Sequence, residues 1–177
     1  MNIESYKNLV IAQYEAAFST FDSILKQVPQ NVWTGNIASK GFDQSAFHAL
    51  FYTDVYLSQN EHVVREQEFH IQHTDVFEGY EEFTFDPPIK RYTLDFVKEY
   101  LSFCLDKSRS SVEAETEESL AGEAEFSWQS ISRGELHVYN IRHIQHHAAQ
   151  LILRIRLESE IDIKWYFSGW EPLELTN

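Results

Sequence analysis

The sequence predicts an all-α fold: a bundle of four long helices, with an elaborated connection between the second and third and an aromatic C-terminal tail. Three observations carry that expectation. Apolar side chains return at helical spacing in four windows, near residues 5–26, 43–60, 93–112 and 132–158. The chain is 43% apolar and 15% aromatic, including 13 Phe and 9 Tyr, which predicts a ring-rich folded core rather than disorder. At 177 residues it is long enough to bury such a core without disulfide staples, so residues 1–177 are expected to form one domain, the bundle over about 5–158 and a packed tail over about 159–177.

In the first window Leu9, Ala12, Ala16, Phe21, Ile24 and Leu25 share a helical repeat, and Pro29 stops it. Residues 30–41 contain Gly35 and Gly41 and read as a connection, with Trp33 folded back onto the core. The second helix is expected to begin at Asp43 as N-cap, with Phe47, His48, Phe51, Tyr52 and Val55 on one face. Residues 62–88 read as the long connection, holding a short helix and the aromatic anchors Phe77, Tyr80, Phe83 and Phe85, closed by Pro87-Pro88. Thr93 is the expected N-cap of the third helix, which carries Leu94, Val97, Leu101, Cys104 and Leu105. Residues 113–122 are acidic and weakly patterned. Ser132, three residues before Glu135, is the expected N-cap of the fourth helix. The tail contains Ile161, Ile163, Trp165, Tyr166, Phe167 and Trp170, too apolar to hang free, so it is expected to pack on the bundle or on another subunit.

Charge and composition narrow the classes of function. With 28 acidic and 14 basic side chains the formal charge is -14, a field that repels phosphate backbones and anionic lipid, so no nucleic-acid partner is expected. No run approaches the roughly 18 apolar residues of a membrane span, and the first residues do not read as a leader, so no membrane partner is expected either. Cys104 is the sole cysteine; no intrachain disulfide or thiolate cage is available, and a reducing, cytoplasmic setting is expected. Its place in a helical apolar pattern marks it as core packing rather than a nucleophile. There is no Gly-rich phosphate loop, nucleophile elbow, dinucleotide fingerprint, HExxH pair or paired Glu-x-x-His.

The densest chemistry lies in Arg142-His143-Ile144-Gln145-His146-His147. His143 and His147 stand at i and i+4, so their roots lie on one helical face roughly 6 Å apart, while His146 points elsewhere. Two ligands do not make a catalytic site, which typically takes three protein ligands and an open position. With thiolates excluded, the best third candidate is His48, otherwise a polar ring among aromatics. At about 100° per residue the apolar stripe through Ile141, Ile144, Ala148, Ile152 and Ile155 centres roughly 120° from the His143–His147 direction, which suits a cleft between two helices. Asn140, Leu151 and Arg154 point approximately the same way as the two histidines. Spacing alone leaves open that all three rings are surface or hydrogen-bonded structural histidines. His70 and His73 at i and i+3 form a weaker pair, and His62 and His137 stand alone.

Two segments resemble the DinB-like family, also described as YfiT-like metal-dependent hydrolases. They are Phe47-His48-Ala49-Leu50-Phe51-Tyr52-Thr53-Asp54 and Arg142-His143-Ile144-Gln145-His146-His147-Ala148-Ala149-Gln150-Leu151. The resemblance covers about residues 5–158 and implies an up-down-down-up bundle with a divalent ion, zinc or nickel, held by His48, His143 and His147 near one end. It makes His146 a companion of the last ligand, and it implies a homodimer. Family chemistry includes thiol-dependent S-transfer and isomerisation. Where the family commonly has Arg-Gly after the double histidine this chain has Ala148-Ala149, so the resemblance implies fold and ligands more firmly than substrate.

Two functions follow. In the first the protein is a metal-dependent enzyme on an unidentified small molecule, with a low-molecular-weight thiol as nucleophile in a transferase or water in a hydrolase. Tyr52, Tyr139 and Asn140, one helical turn or less from a ligand, are candidates for orienting substrate and equally for ordinary packing. In the second the ion only locks helices together in a noncatalytic metal-binding or interaction module, and the aromatic tail builds a subunit interface.

Overall fold

The computed structural model describes residues 2–37, 40–78 and 90–174. Four long helices make the bundle: α1 (Ile3–Gln27), α3 (Phe42–Leu57), α6 (Leu94–Ala114) and α8 (Arg133–Glu158). Between them lie α2 (Gln30–Trp33), a short antiparallel pair β1 (Asn36–Ile37) and β2 (Lys40–Gly41), a 3-10 turn Val63–Glu66, and the short helices α4 (Glu68–Gln72), α5 (Thr74–Phe77) and α7 (Glu117–Ala121). Pro29 follows α1 as expected. Tyr80, Phe83, Phe85, Pro87 and Pro88, expected to anchor and close the long connection, lie outside the described residues.

The helix starts are set by local chemistry. The hydroxyl of Thr93 accepts from the Phe96 N–H, and that of Ser132 accepts from the Glu135 N–H, so both expected caps are in place. The second helix differs. Its N-cap is Gly41, whose N–H donates to Gln44 Oε1 at 2.7 Å, and Asp43 lies inside the first turn. The Asp43 carboxylate instead accepts from the Tyr92 N–H at 2.8 Å and from Arg91 Nε at 2.9 Å, tying the start of α3 to the approach to α6. A β-carbon at Gly41 would stand 2.5 Å from Asp43 Oδ1, so this cap position excludes a side chain unless the carboxylate moves.

Helix directions follow from the side-chain pairs. Lys7 reaches the Glu113 carbonyl and Arg109 pairs with Glu15, so α1 and α6 run antiparallel. Cys104 meets the Leu50 carbonyl and Lys107 pairs with Asp54, which makes α3 and α6 parallel. The ring pairs His48–His147 and Tyr56–Tyr139 set α3 and α8 antiparallel. The result is the up-down-down-up bundle, with α1 and α3 on opposite corners.

Its core is ring-rich as the composition predicts. Phe47 stacks on Tyr92 with centroids 3.9 Å apart and packs against Phe51, Phe77, Phe96 and Tyr100, while Tyr14, Phe18, Phe21 and Phe42 are also fully buried. Trp33 is buried and its indole N–H donates to the Tyr92 carbonyl at 3.1 Å. Cys104 is buried, and that burial pushes its thiol well above the ordinary range, as a packing role requires.

The tail docks along α1. Tyr166 is buried with its hydroxyl 2.7 Å from Ser23 Oγ, Gly169 N–H donates to the Ala12 carbonyl, and Ile163 is buried. Trp165 and Phe167, by contrast, are 68% and 80% exposed. No helix among the described residues is long and apolar enough to cross a membrane.

Candidate metal centre

α3 and α8 are antiparallel neighbours and face each other with matched stripes at i, i+4 and i+8: His48, Tyr52 and Tyr56 on α3, Tyr139, His143 and His147 on α8. Because one stripe ascends while the other descends, the rungs pair His48 with His147, Tyr52 with His143 and Tyr56 with Tyr139. The ring centroids are 4.7, 5.9 and 5.4 Å apart respectively. One end of this ladder is imidazole and the other phenol.

At the imidazole end the three rings converge. His143 and His147 have centroids 4.6 Å apart, His48 and His143 5.8 Å, and one ring nitrogen from each of the three lies within 4.8 Å of the others. All three are partly exposed, so the cluster reaches solvent along the α3–α8 seam, in keeping with the offset of the histidines from the apolar stripe. Among the described residues no fourth His, Cys, Asp or Glu joins the cluster.

The donor set fits a divalent ion. Burial first, then the charges of His147, His48 and His146, push His143 down to about 3, so its ring is neutral and its lone pair available at neutral pH. Its Nδ1 is buried with no hydrogen-bond partner, a costly state for a core histidine and a natural one for a ligand. The structure therefore contains a three-histidine cluster capable of holding a divalent metal ion.

Of the expected neighbours, Tyr52 packs on His48 at 4.9 Å. Tyr139 meets Tyr56 edge-on, and Tyr56 in turn meets His143 at 5.8 Å and Phe126 at 6.0 Å. Phe126 lies 5.5 Å from Trp128, so an aromatic wall leads from the histidines to the partly exposed Trp128 and Tyr139. Burial, then the Tyr139 phenol, raises the Tyr56 hydroxyl, which stays protonated. Asn140 takes the packing alternative: it is buried and donates to the Thr53 carbonyl at 3.0 Å, bracing α8 against α3.

His70, His73 and His137 have structural partners. His70 is buried with Nε2 2.6 Å from Asp54 Oδ2 and its ring stacked on Phe77 at 3.7 Å, while His73 approaches the Phe69 carbonyl and Glu99. The i, i+3 pair thus diverges. His137 Nε2–H donates to Glu115 Oε1 at 3.1 Å and its Nδ1 accepts from the Tyr14 hydroxyl at 3.2 Å. Tyr56 was not legible as a site neighbour; its i+8 spacing from His48 is the signal that would have found it.

Fold and site together define a four-helix bundle with a histidine triad in one inter-helix seam. Among solved structures the chain is similar to a DinB-like protein from Bacillus subtilis, with a TM-score of 0.64 over 90% of this chain and 98% of that one. At 12% sequence identity this likeness establishes the DinB-like fold. No family model and no curated protein matches the sequence.

Proposed function

We propose that the protein is a metal-dependent enzyme in which His48, His143 and His147 hold a divalent ion, zinc or nickel, and in which a small organic molecule undergoes thiol-dependent S-transfer or hydrolysis. The observation that carries this reading is the open three-nitrogen cluster, with no fourth His, Cys, Asp or Glu ligand among the described residues. A closed structural site takes four protein ligands; three leave positions for water or substrate. When bound, such an ion supplies Lewis acidity and lowers the pKa of a thiol or water.

The chain's own residues supply the rest. His48 from α3 and the His143–His147 pair from α8 fix the donor geometry on rigid helices. Tyr52, Tyr56, Tyr139, Phe126 and Trp128 offer an aromatic wall of mutually tilted rings beside the triad, with Tyr139 and Trp128 exposed enough to meet a ligand. The proposal places the protein in the cytoplasm, where the single buried thiol of Cys104 stays reduced.

The rival reading is a noncatalytic metal-locked interaction bundle. Exposed Leu153 and Leu157 on α8 favour it, since they offer a face for a homodimer. The test is a screen of low-molecular-weight thiols against electrophiles, alongside ester and amide hydrolysis, comparing the native protein with His48→Ala. Turnover that needs the added ion and disappears in His48→Ala supports the enzyme; turnover that survives loss of His48 contradicts metal catalysis.

A further inference from the structure

The α8 register that places His147 in the triad also places Gln150 three residues beyond it and four beyond His146. Gln150 Oε1 lies 3.0 Å from His147 Nδ1, and Gln150 Nε2 lies 3.0 Å from His146 Nε2. A glutamine amide has one accepting end and one donating end. With the oxygen on His147, Nδ1 of that ring must carry the proton, and the lone pair then resides on Nε2. With the amide nitrogen on His146, Nε2 of that ring must accept. The three side chains form one directed chain: His147 donates to Gln150, and Gln150 donates to His146.

We infer that Gln150, oriented by His146, is a positioning residue for the metal centre: it fixes His147 in the tautomer that presents Nε2, and it holds the plane of the ring. The inference rests on the proposal that His147 is a ligand. It gives the double histidine a division of labour, in which His147 faces the ion and His146 sets the direction of the amide that orients it. A hydrogen bond to the second nitrogen of a ligating imidazole raises the ring's basicity and removes the competing tautomer, and loss of such a partner typically weakens binding by 10- to 100-fold. Gln150 and His146 are solvent-exposed, where water competes for the same bonds, so the effect belongs at the lower end.

The experiment has two readings on the intact chain. Long-range proton–nitrogen spectra of the metal-free protein, with its histidine rings labelled, are expected to show His147 protonated on Nδ1. Zinc affinity, measured by competition with a chelator, is expected to fall about tenfold in Gln150→Ala, to fall less in His146→Ala, and to be restored in Gln150→Glu, whose carboxylate still accepts from Nδ1. The metal-free variants should melt with the native protein, because the side chain is exposed. Native affinity in Gln150→Ala, or a His147 protonated on Nε2, overturns the inference while leaving the metal site standing. A native protein that takes up no zinc overturns the metal proposal, and this inference with it.

Discussion

His48 and His147, one on each of two antiparallel helices, meet edge to face with ring centroids 4.7 Å apart. An ion shared between them cross-links α3 to α8 in the native state alone. Binding to the native state stabilises by about 2.7 kcal/mol at one hundred times the dissociation constant. For a protein of this size that raises the melting temperature by roughly 5–10 °C. Differential scanning calorimetry with and without zinc should show this rise in the native protein and not in His48→Ala.

Asp54 is the hub of a second polar cluster. Its carboxylate accepts from His70, Tyr100, Gln67 and Lys107, and it is fully buried. Burial raises its pKa, but the hydrogen bond from His70 and the Lys107 charge outweigh that and hold it below the ordinary carboxylate range. Asp54→Ala strands the Lys107 ammonium and the His70 ring in the interior, so a loss of about 3–5 kcal/mol is expected in urea unfolding. A loss below about 1 kcal/mol, the scale of a surface pair, would show that water reaches the cluster.

Acid should unfold the protein in two stages. His137 is pushed below its ordinary value by burial first, and His143 to about 3 by burial and its histidine neighbours. Both are neutral when folded, while the unfolded chain takes up their protons near 6.5, so stability falls as pH drops below that value. Burial alone raises Glu115, but hydrogen bonds from His137, Ser119 and Arg133 overcome it and bring the carboxyl to about 2. That stability is present above the unfolded value of about 4.5 and is lost as pH falls towards 2. Denaturant midpoints measured across pH 7 to 3 should decline from near 6.5 and steepen below 4.5; a flat profile would contradict the buried placement of His137 and Glu115.

Two neighbouring tail aromatics should behave oppositely. Tyr166 is buried with its hydroxyl on Ser23 Oγ, so Tyr166→Phe removes one buried hydrogen bond and costs about 1 kcal/mol. Phe167 is largely exposed, and Phe167→Ser should stay within about 0.5 kcal/mol of native. Chemical denaturation of the two variants separates a docked tail from a loose one.

The bundle was legible because its helices are amphipathic and two of their caps, Thr93 and Ser132, act through bonds only three residues long. Asp43 was misread as a cap because its real partners, Arg91 and Tyr92, lie 48 and 49 residues away and leave no local trace. The triad was legible for the same reason as the helices: the i, i+4 step put His143 and His147 on one face, and the polar ring of His48 stood out among aromatics. Asp54–His70 and Gln150–His147 were not, since neither residue type nor spacing says which ring faces which acceptor. The resemblance added the assignment of the three rings as ligands, which spacing left open, and the up-down-down-up order, which the contacts of α3 with α6 and α8 bear out.

If His48, His143 and His147 hold a divalent ion, untagged protein grown with metal supplied should carry it through purification, and elemental analysis of the native protein beside His143→Ala reads this out. About one equivalent of zinc or nickel per chain in the native protein, and a clear loss in His143→Ala, is the predicted result. A native protein free of stoichiometric metal, or a variant that retains it, would contradict the account.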